Sequence, residues 1–337
     1  MDSRARPKRL RGLLLDRASQ VAKLAGDTDC VRLCAGLADA LPGMLVDQFG
    51  PLVVAVDYSG LAEPEPGAGA EALLRVVREC RPGYHVVAKV RAAADGSNRF
   101  ATAVFSPESG GAPLVGTELG LKFEIGTDPA HDFGLFLDAA KARAFVRAAA
   151  RGQRVLNLFS YAGAFGVSAA AGGAAEVTNV DPNRDYLAWS LRNARLNGVN
   201  MRVLPDTAQA HLAKHLRRLA REPERPGYEL VIIDPPAFGV GRGNDRVLRL
   251  LWPSLFESLR AMRPQQVLLM CNDKAFRSSR SFAQLVEKEL GHWYRFERLG
   301  TYLTAADLVA RPPSPGWTGD MSDPFYVEPV VLAGMRL

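Results

Sequence analysis

The spacing of apolar residues changes character near Asp138. Before it, short apolar runs are broken by glycine and proline. Leu10, Leu13, Leu14, Val21 and Leu24 recur at helical intervals, which predicts a helix over residues 8–27 that stops at Gly26. Met44–Val46 and Leu52–Val56 flank Gln48-Phe49-Gly50-Pro51, so the pair reads as a hairpin. After a Pro/Gly/Ala linker from Pro64 to Gly69, Ala70–Cys80 reads as a helix and Val86–Val90 as a strand. Leu114–Val115 and Leu121–Ile125, around a glycine, read as a further antiparallel pair. Together these predict a small α+β domain over residues 1–126.

From Asp138 onward helices and apolar strands alternate, the pattern of a parallel sheet with helical crossovers. Helices are expected at Ala139–Ala150, Phe165–Ala171, Tyr186–Leu196, Ala208–Ala220, Val247–Met262 and Ser281–Leu290. Strands are expected at Val155–Phe159, Glu176–Val180, Met201–Leu204, Glu229–Ile233 and Gln266–Met270. Phe325-Tyr326-Val327 and Val330-Val331-Leu332 read as closing antiparallel strands. Residues 127–337 are thus expected to form one α/β domain around a mostly parallel, doubly wound sheet.

The length of 337 residues suits two domains with sizeable cores. A formal charge of +6 and a pI near 9.2 favour a polyanionic partner without requiring one. Charge is densest at the start, where Arg4, Arg6, Lys8, Arg9 and Arg11 face a lone Asp2. That cluster reads either as a frayed, solubilising terminus or as an arm that grips phosphates. Cys30, Cys34, Cys80 and Cys271 form no CxxC pair, which argues against zinc or a disulfide framework and fits a reducing cytosol. No apolar run approaches the ~18 residues of a membrane span, so the expectation is a cytoplasmic protein without a membrane partner.

Residues 155–181 carry the first chemical signal: a buried strand, a glycine turn, a helix, a second strand and a terminal Asp181. This order suits an adenosine-bearing ligand, held at the carboxyl ends of parallel strands. Ser160, Tyr161, Ala162 and Gly163 follow the first strand. Gly163 lets the backbone approach the ligand, and the next helix N-terminus can satisfy a methionine carboxylate. Asp181 is placed to accept ribose hydroxyls, and Asp206, followed by Thr207, the adenine amino group. A dinucleotide site is the competing account, but Tyr161 stands where its first glycine belongs. Glycines that merely pack a helix on a sheet remain a third reading.

The second signal is Asp234-Pro235-Pro236-Ala237-Phe238 at the end of an apolar strand. The prolines end the strand and donate nothing, leaving Asp234 and nearby carbonyls as acceptors for a planar, amine-bearing substrate on which Phe238 can stack. With a sulfonium methyl alongside, that arrangement is suited to methyl transfer. A simple strand-ending turn is the plain alternative. Arg242, Arg246 and Arg249 follow in or after a glycine-rich loop, as phosphate-gripping groups or as surface charge. His211 and His215 share a helix face at i,i+4 but lack a third ligand, so no metal site is assigned.

With these residues in view, the chain resembles class I S-adenosylmethionine-dependent methyltransferases with a Rossmann-like domain. More narrowly, it is similar to the bacterial family that methylates 23S ribosomal RNA at cytosine C5 or guanine N7. Three stretches carry the likeness: Ala38 to Gly50, Phe133 to Asp138 with Arg143, and Asn157 to Asp181 continued at Asp234 to Phe238. The resemblance implies S-adenosylmethionine as cofactor, ribosomal RNA as partner, and Phe136, Asp138 and Arg143 as contributors to the cofactor pocket. The family's usual N-terminal RNA-binding domain is expected to be absent, because the first signature starts within the first fifty residues. The family's C5 nucleophile has Asp273 in its place, in Met270-Cys271-Asn272-Asp273. Transfer to a nitrogen is therefore favoured, since C5 attack needs a thiolate. Alternatives are a small-molecule methyltransferase and a catalytically silent RNA-binding relative.

Overall fold

The computed structural model describes residues 5–23, 27–59, 68–91, 100–107, 113–128, 132–236, 245–271, 279–300 and 330–337. These fall into two compact units that divide between Leu137 and Asp138, where the sequence reading draws its domain line between 126 and 127.

The first unit holds α1 (Ala5–Ala22), β1 (Cys30–Ala35), β2 (Met44–Phe49), β3 (Leu52–Asp57), α2 (Ala68–Cys80), β4 (His85–Arg91) and β5 (Phe100–Phe105). A hairpin of β6 (Leu114–Glu118) and β7 (Leu121–Ile125) follows. The five-stranded sheet runs β1-β2-β3-β4-β5, antiparallel except for β3 and β4, which α2 joins as a crossover. Gly50 turns the β2–β3 hairpin at φ +57°, and a Cβ there would lie 2.5 Å from the Val115 carbonyl oxygen, so only glycine fits. Leu10, Leu14 and Val21 of α1 enter the core with Leu73, Leu74 and Val77 of α2 and the sheet valines.

Of the basic start of the chain, Arg6, Lys8, Arg9 and Arg11 lie among the described residues, and Arg4 lies outside them. These four belong to the first half of α1, and the three arginines meet acceptors of their own unit. Arg6 donates to Ser59 Oγ, Asp57 Oδ1 and the Pro42 carbonyl, and Arg9 to the Asp39 carbonyl. Arg11 pairs with Glu79, and Arg17 with Asp39.

The second unit contains α3 (Ala140–Ala149), β8 (Arg154–Leu158), α4 (Ala164–Ala171), β9 (Glu176–Asp181), α5 (Arg184–Leu196), β10 (Arg202–Pro205), α6 (Ala208–Arg221) and β11 (Leu230–Ile233). It continues with α7 (Asp245–Met262), β12 (Gln266–Cys271), α8 (Ser279–Leu290), β13 (Tyr294–Leu299) and β14 (Val330–Arg336). Its seven strands lie in the order β10-β9-β8-β11-β12-β14-β13, with β14 antiparallel to both neighbours and β10 to β12 parallel. This is the doubly wound sheet expected, with β14 as its reversed closing strand.

Side chains alternate along each central strand, as a two-residue period requires. Leu156, Leu158, Val231, Ile233, Val267 and Leu269 join Trp252, Leu255 and Phe256 on one face. Val155, Leu230, Ile232, Leu268 and Met270 join Ala142, Val146 and Phe165 on the other. The strands not anticipated are β1, β5 and β13, and all three are sheet edges. β5 and β13 are partly exposed and carry polar residues, such as Thr102 or Arg295 to Arg298, that blur the alternation, whereas β1 is buried up to Ala35 and its apolar run is broken by Arg32.

Arg32 of β1 is nearly buried and bonds the Asp47 carboxylate of β2 twice, at 2.7 and 2.8 Å. Asp47→Ala removes both of these charge-assisted bonds from a nearly buried guanidinium and should cost about 2–4 kcal/mol. Urea unfolding followed by circular dichroism measures it, and an unchanged midpoint would show the pair to be idle.

Candidate active site

The two sequence signals meet at the carboxyl ends of the parallel strands in the second unit. Asp181 ends β9, and its carboxylate reaches across to the turn after β8. Oδ2 accepts the Tyr161 amide at 3.0 Å, while Oδ1 accepts the Asn183 amide at 2.9 Å. Burial pushes the Asp181 pKa up and these two amides pull it back. Each oxygen keeps a second lone pair for a ligand hydroxyl.

The turn itself is held in an unusual path. Phe159 and Tyr161 have φ of 57° and 46°, and Gly163 has 77°. Two non-glycine residues in the left-handed region of one turn mark stored strain. The Tyr161 ring lies against α5, edge-on to Tyr186 at 4.6 Å and tilted to Trp189 at 5.8 Å. An aromatic thus fills the position where a dinucleotide fold needs glycine.

Beneath the turn lies a buried polar chain that sequence reasoning missed. Asn157 of β8 donates to Asn179 of β9 at 2.9 Å, Asn179 donates to Ser190 of α5 at 2.9 Å, and Asn193 donates to the Ala162 carbonyl at 2.9 Å. A Cβ on Gly163 would sit 2.7 Å from Ser190 Cβ, and one on Gly166 2.8 Å from Asn179 Cγ. Both glycines therefore serve close packing over this chain. Asparagines inside otherwise apolar strands, Val-Leu-Asn-Leu and Val-Thr-Asn-Val, were the available signal.

Ser160 is buried, and its Oγ has no hydrogen-bond partner among the described residues. An orphaned buried hydroxyl in this turn is a group that a methionine or ribose moiety would satisfy. Asp206 lies after β10, bonded by the Thr207 amide at 3.0 Å and by Lys214 Nζ at 2.6 Å, and Lys214 holds its pKa low. The Thr207 hydroxyl caps α6 by accepting the Ala210 amide at 3.2 Å.

Asp234 follows β11 and is half-buried, with Pro235 buried behind it. Loss of water pushes its pKa up to about 7, Asp138 adds to the rise, and Arg143 opposes it. Arg143 is 3% exposed on α3, and Asp138 lies in the short 3-10 turn Leu137–Ala139 just before it. These three residues form one electrostatic group that local spacing does not reveal.

Phe136 is 45% exposed and belongs to the end of the first unit. Ala237, Phe238, Arg242, Asn272 and Asp273 lie outside the described residues, as do the side chains of Arg246 and Arg249 on α7. Cys271 is 4% exposed within the apolar cluster of one sheet face. His211 and His215 stack at 6.3 Å between ring centroids instead of converging on one point, and no metal-ligand cluster of three occurs among the described residues. No helix among the described residues is long and apolar enough to cross a membrane.

Residues 77–282 match the family model of S-adenosylmethionine-dependent methyltransferases. The ribosomal RNA large subunit methyltransferase I of Erwinia tasmaniensis is 35% identical over 223 residues, covering 64% of this chain and 53% of the relative. The ribosomal RNA large subunit methyltransferase of Deinococcus radiodurans is 30% identical over 286 residues, covering 82% and 68%. The chain spans about half the length of several of the curated relatives it matches. In fold, a SAM-dependent methyltransferase from Streptococcus mutans aligns with 98% of this chain and 81% of its own, with a TM-score of 0.67 at 20% identity. The parallel sheet, the Asp181-anchored turn and the extent of the match lead to one conclusion: the chain belongs to the S-adenosylmethionine-dependent methyltransferase family.

Proposed function

We propose that this protein methylates a base of large-subunit ribosomal RNA, at a ring or exocyclic nitrogen, in the cytoplasm. The observation that carries the reading is Asp234-Pro235-Pro236 at the end of β11, an acceptor group on the same sheet edge as the Asp181-anchored turn. The RNA assignment rests on the relatives, which are named as ribosomal RNA large subunit methyltransferases.

The bound cofactor supplies a methyl group activated on a sulfonium sulfur. Asp181 holds the ribose through its remaining lone pairs, and Ser160, Ala162 and Gly163 border the methionine end. Asp206 and Thr207 border the adenine, with Lys214 yielding part of Asp206 to it. Asp138 and Arg143 complete the pocket, Arg143 by stabilising the carboxylates around it.

Asp234 and the Pro235 carbonyl accept hydrogen bonds from the substrate amine and orient its nitrogen lone pair at the methyl carbon. The proton lost on transfer leaves through Asp234, whose raised pKa suits it to hold one. Phe238 stacks on the base, while Arg242, Arg246 and Arg249 take flanking phosphates. Nitrogen is favoured over C5 because Cys271 packs in the core and Asp273 replaces the expected thiol.

Asp181→Ala should weaken S-adenosylmethionine binding on the order of tenfold or more in calorimetry, since a hydrogen-bonded carboxylate and the turn it holds are lost together. Equal affinity would dismiss the pocket.

The Asp234 carboxyl holds its proton up to about pH 7 when folded, against an ordinary value of 3.8. The folded state thus binds more protons than the unfolded chain between those values, so stability declines as pH rises through that window and levels off above it. Asp234→Asn lacks this penalty. It should melt progressively later than the wild type as pH goes from 4 to 8, while losing methyl transfer at every pH. Parallel melting curves would refute the buried-carboxylate assignment.

Mass spectrometry of nucleosides from large-subunit RNA of a deletion strain tests the substrate directly. A missing N-methylated base is expected. A missing C5-methyl base would overturn the nitrogen target. Unchanged RNA with S-adenosylhomocysteine released on metabolite extracts would point to a small-molecule acceptor, and no release with either would mark a silent relative.

A further inference from the structure

A second concave site lies on the side of the second unit, between the edge strand β10 and helix α6. It encloses about 300 Å³, the lower end of the range for small-ligand pockets. Arg202 opens β10 and Tyr228 precedes β11, so the cavity extends toward the amino ends of the strands, away from the cofactor turn. Of the residues assigned to the cofactor, Asp206 alone borders it.

One wall is aromatic. His211 and His215 are stacked within 13° of parallel, and Tyr228 leans on both, 4.7 Å from the His215 ring and 6.1 Å from that of His211. Burial lowers the pKa of both histidines, that of His215 to about 4, so the imidazoles are neutral near pH 7. Besides Tyr228 and each other, the titratable groups acting on them are Asp206, Arg202, Lys214, Arg218 and Arg225. His215 is only 7% exposed, yet its Nε2 has no hydrogen-bond partner among the described residues. A buried polar nitrogen in a cavity wall without a partner calls for one from a ligand.

The rim is cationic. Lys214 is engaged by Asp206, but Arg202 and Arg218 are exposed and form no ion pair with a described residue. An aromatic, neutral, hydrogen-bonding wall beside two unengaged guanidinium groups matches one chemistry in both parts: a nucleobase joined to a phosphate.

We propose that this cavity holds a single unpaired nucleotide of the RNA, distinct from the one methylated. Its base stacks on the Tyr228 ring and bonds His215 Nε2 at the edge of the imidazole, and its phosphate is held by Arg202 and Arg218. The inference rests on RNA being the substrate, and it adds a second point of attachment on the flank of the domain. One such contact away from the sulfonium would fix the register of the strand without entering the chemistry.

The test uses the full chain and the double variant Arg202→Glu, Arg218→Glu, both exposed positions outside the cofactor site. Binding of an unstructured, fluorescently labelled RNA is followed by anisotropy across a salt series, and S-adenosylmethionine binding by calorimetry serves as the folding control. The variant should bind RNA on the order of tenfold more weakly, with a salt slope shallower by about 1.4 for two lost single-strand contacts. Cofactor affinity should stay unchanged. In the wild type, adenosine 5′-monophosphate and the RNA should both shift the His211 and His215 ring resonances in NMR.

If the wild type binds RNA and the variant binds it equally well, the pocket assignment is wrong and the substrate reading stands. If adenosine 5′-monophosphate moves the histidine signals while RNA neither binds nor moves them, the cavity is a free-nucleotide site. That result would overturn this inference together with the RNA reading. Inorganic phosphate reproducing the full effect would remove the base-stacking half and refute the nucleotide assignment.

Discussion

One carboxylate joins the two strands that carry the candidate cofactor turn. Asp181 ends β9 and accepts an amide from the turn after β8 and another from the turn into α5. Each bond to a charged acceptor offsets part of the cost of burying it. The same bonds oppose the strain of Phe159 and Tyr161 at positive φ. Without that anchor the turn would have a wider choice of paths, and the Ser160 hydroxyl would have no defined place.

The layer below repeats the principle with neutral groups. Asn157, Asn179 and Ser190 form a connected chain through the sheet into α5, and Asn193 fastens the turn from the helix side. Polar residues in so dry a setting are tolerated because each finds a partner, and a satisfied network permits one arrangement of its members. Gly163 and Gly166 have a packing role over this network and are also suited to close ligand approach. The two uses are compatible, since the space a Cβ would fill lies on the α5 and β9 side.

Charge is spent differently in the two units. In the first, arginines of α1 and β1 are engaged by Asp57, Asp39, Glu79 and Asp47. Part of a basic cluster in the linear chain thus pairs with carboxylates of its own unit. In the second, the buried Arg143 stands among carboxylates near Asp234, whereas Arg202 and Arg218 remain at the surface. Net charge alone does not separate these cases, because only the folded chain shows which cations have found carboxylates.

The sequence by itself determined the period-two strands of the central sheet, their alternation with helices, and the placement of Asp181, Asp206 and Asp234 after strand ends. Those features follow from local rules of side-chain alternation, turn chemistry and strand termination, which act within about ten residues. Edge strands β5 and β13 escaped it, since a partly exposed strand need not display a clean apolar pattern, and β1 escaped it because Arg32 interrupts a short apolar run. The tertiary structure alone decided that Asp138 and Arg143 act on Asp234, that four polar residues meet beneath the turn, and that two histidines and a tyrosine share a wall with Arg202. These are meetings between residues far apart in the chain, fixed by which strands pair and which helix covers them, and no local spacing encodes that choice.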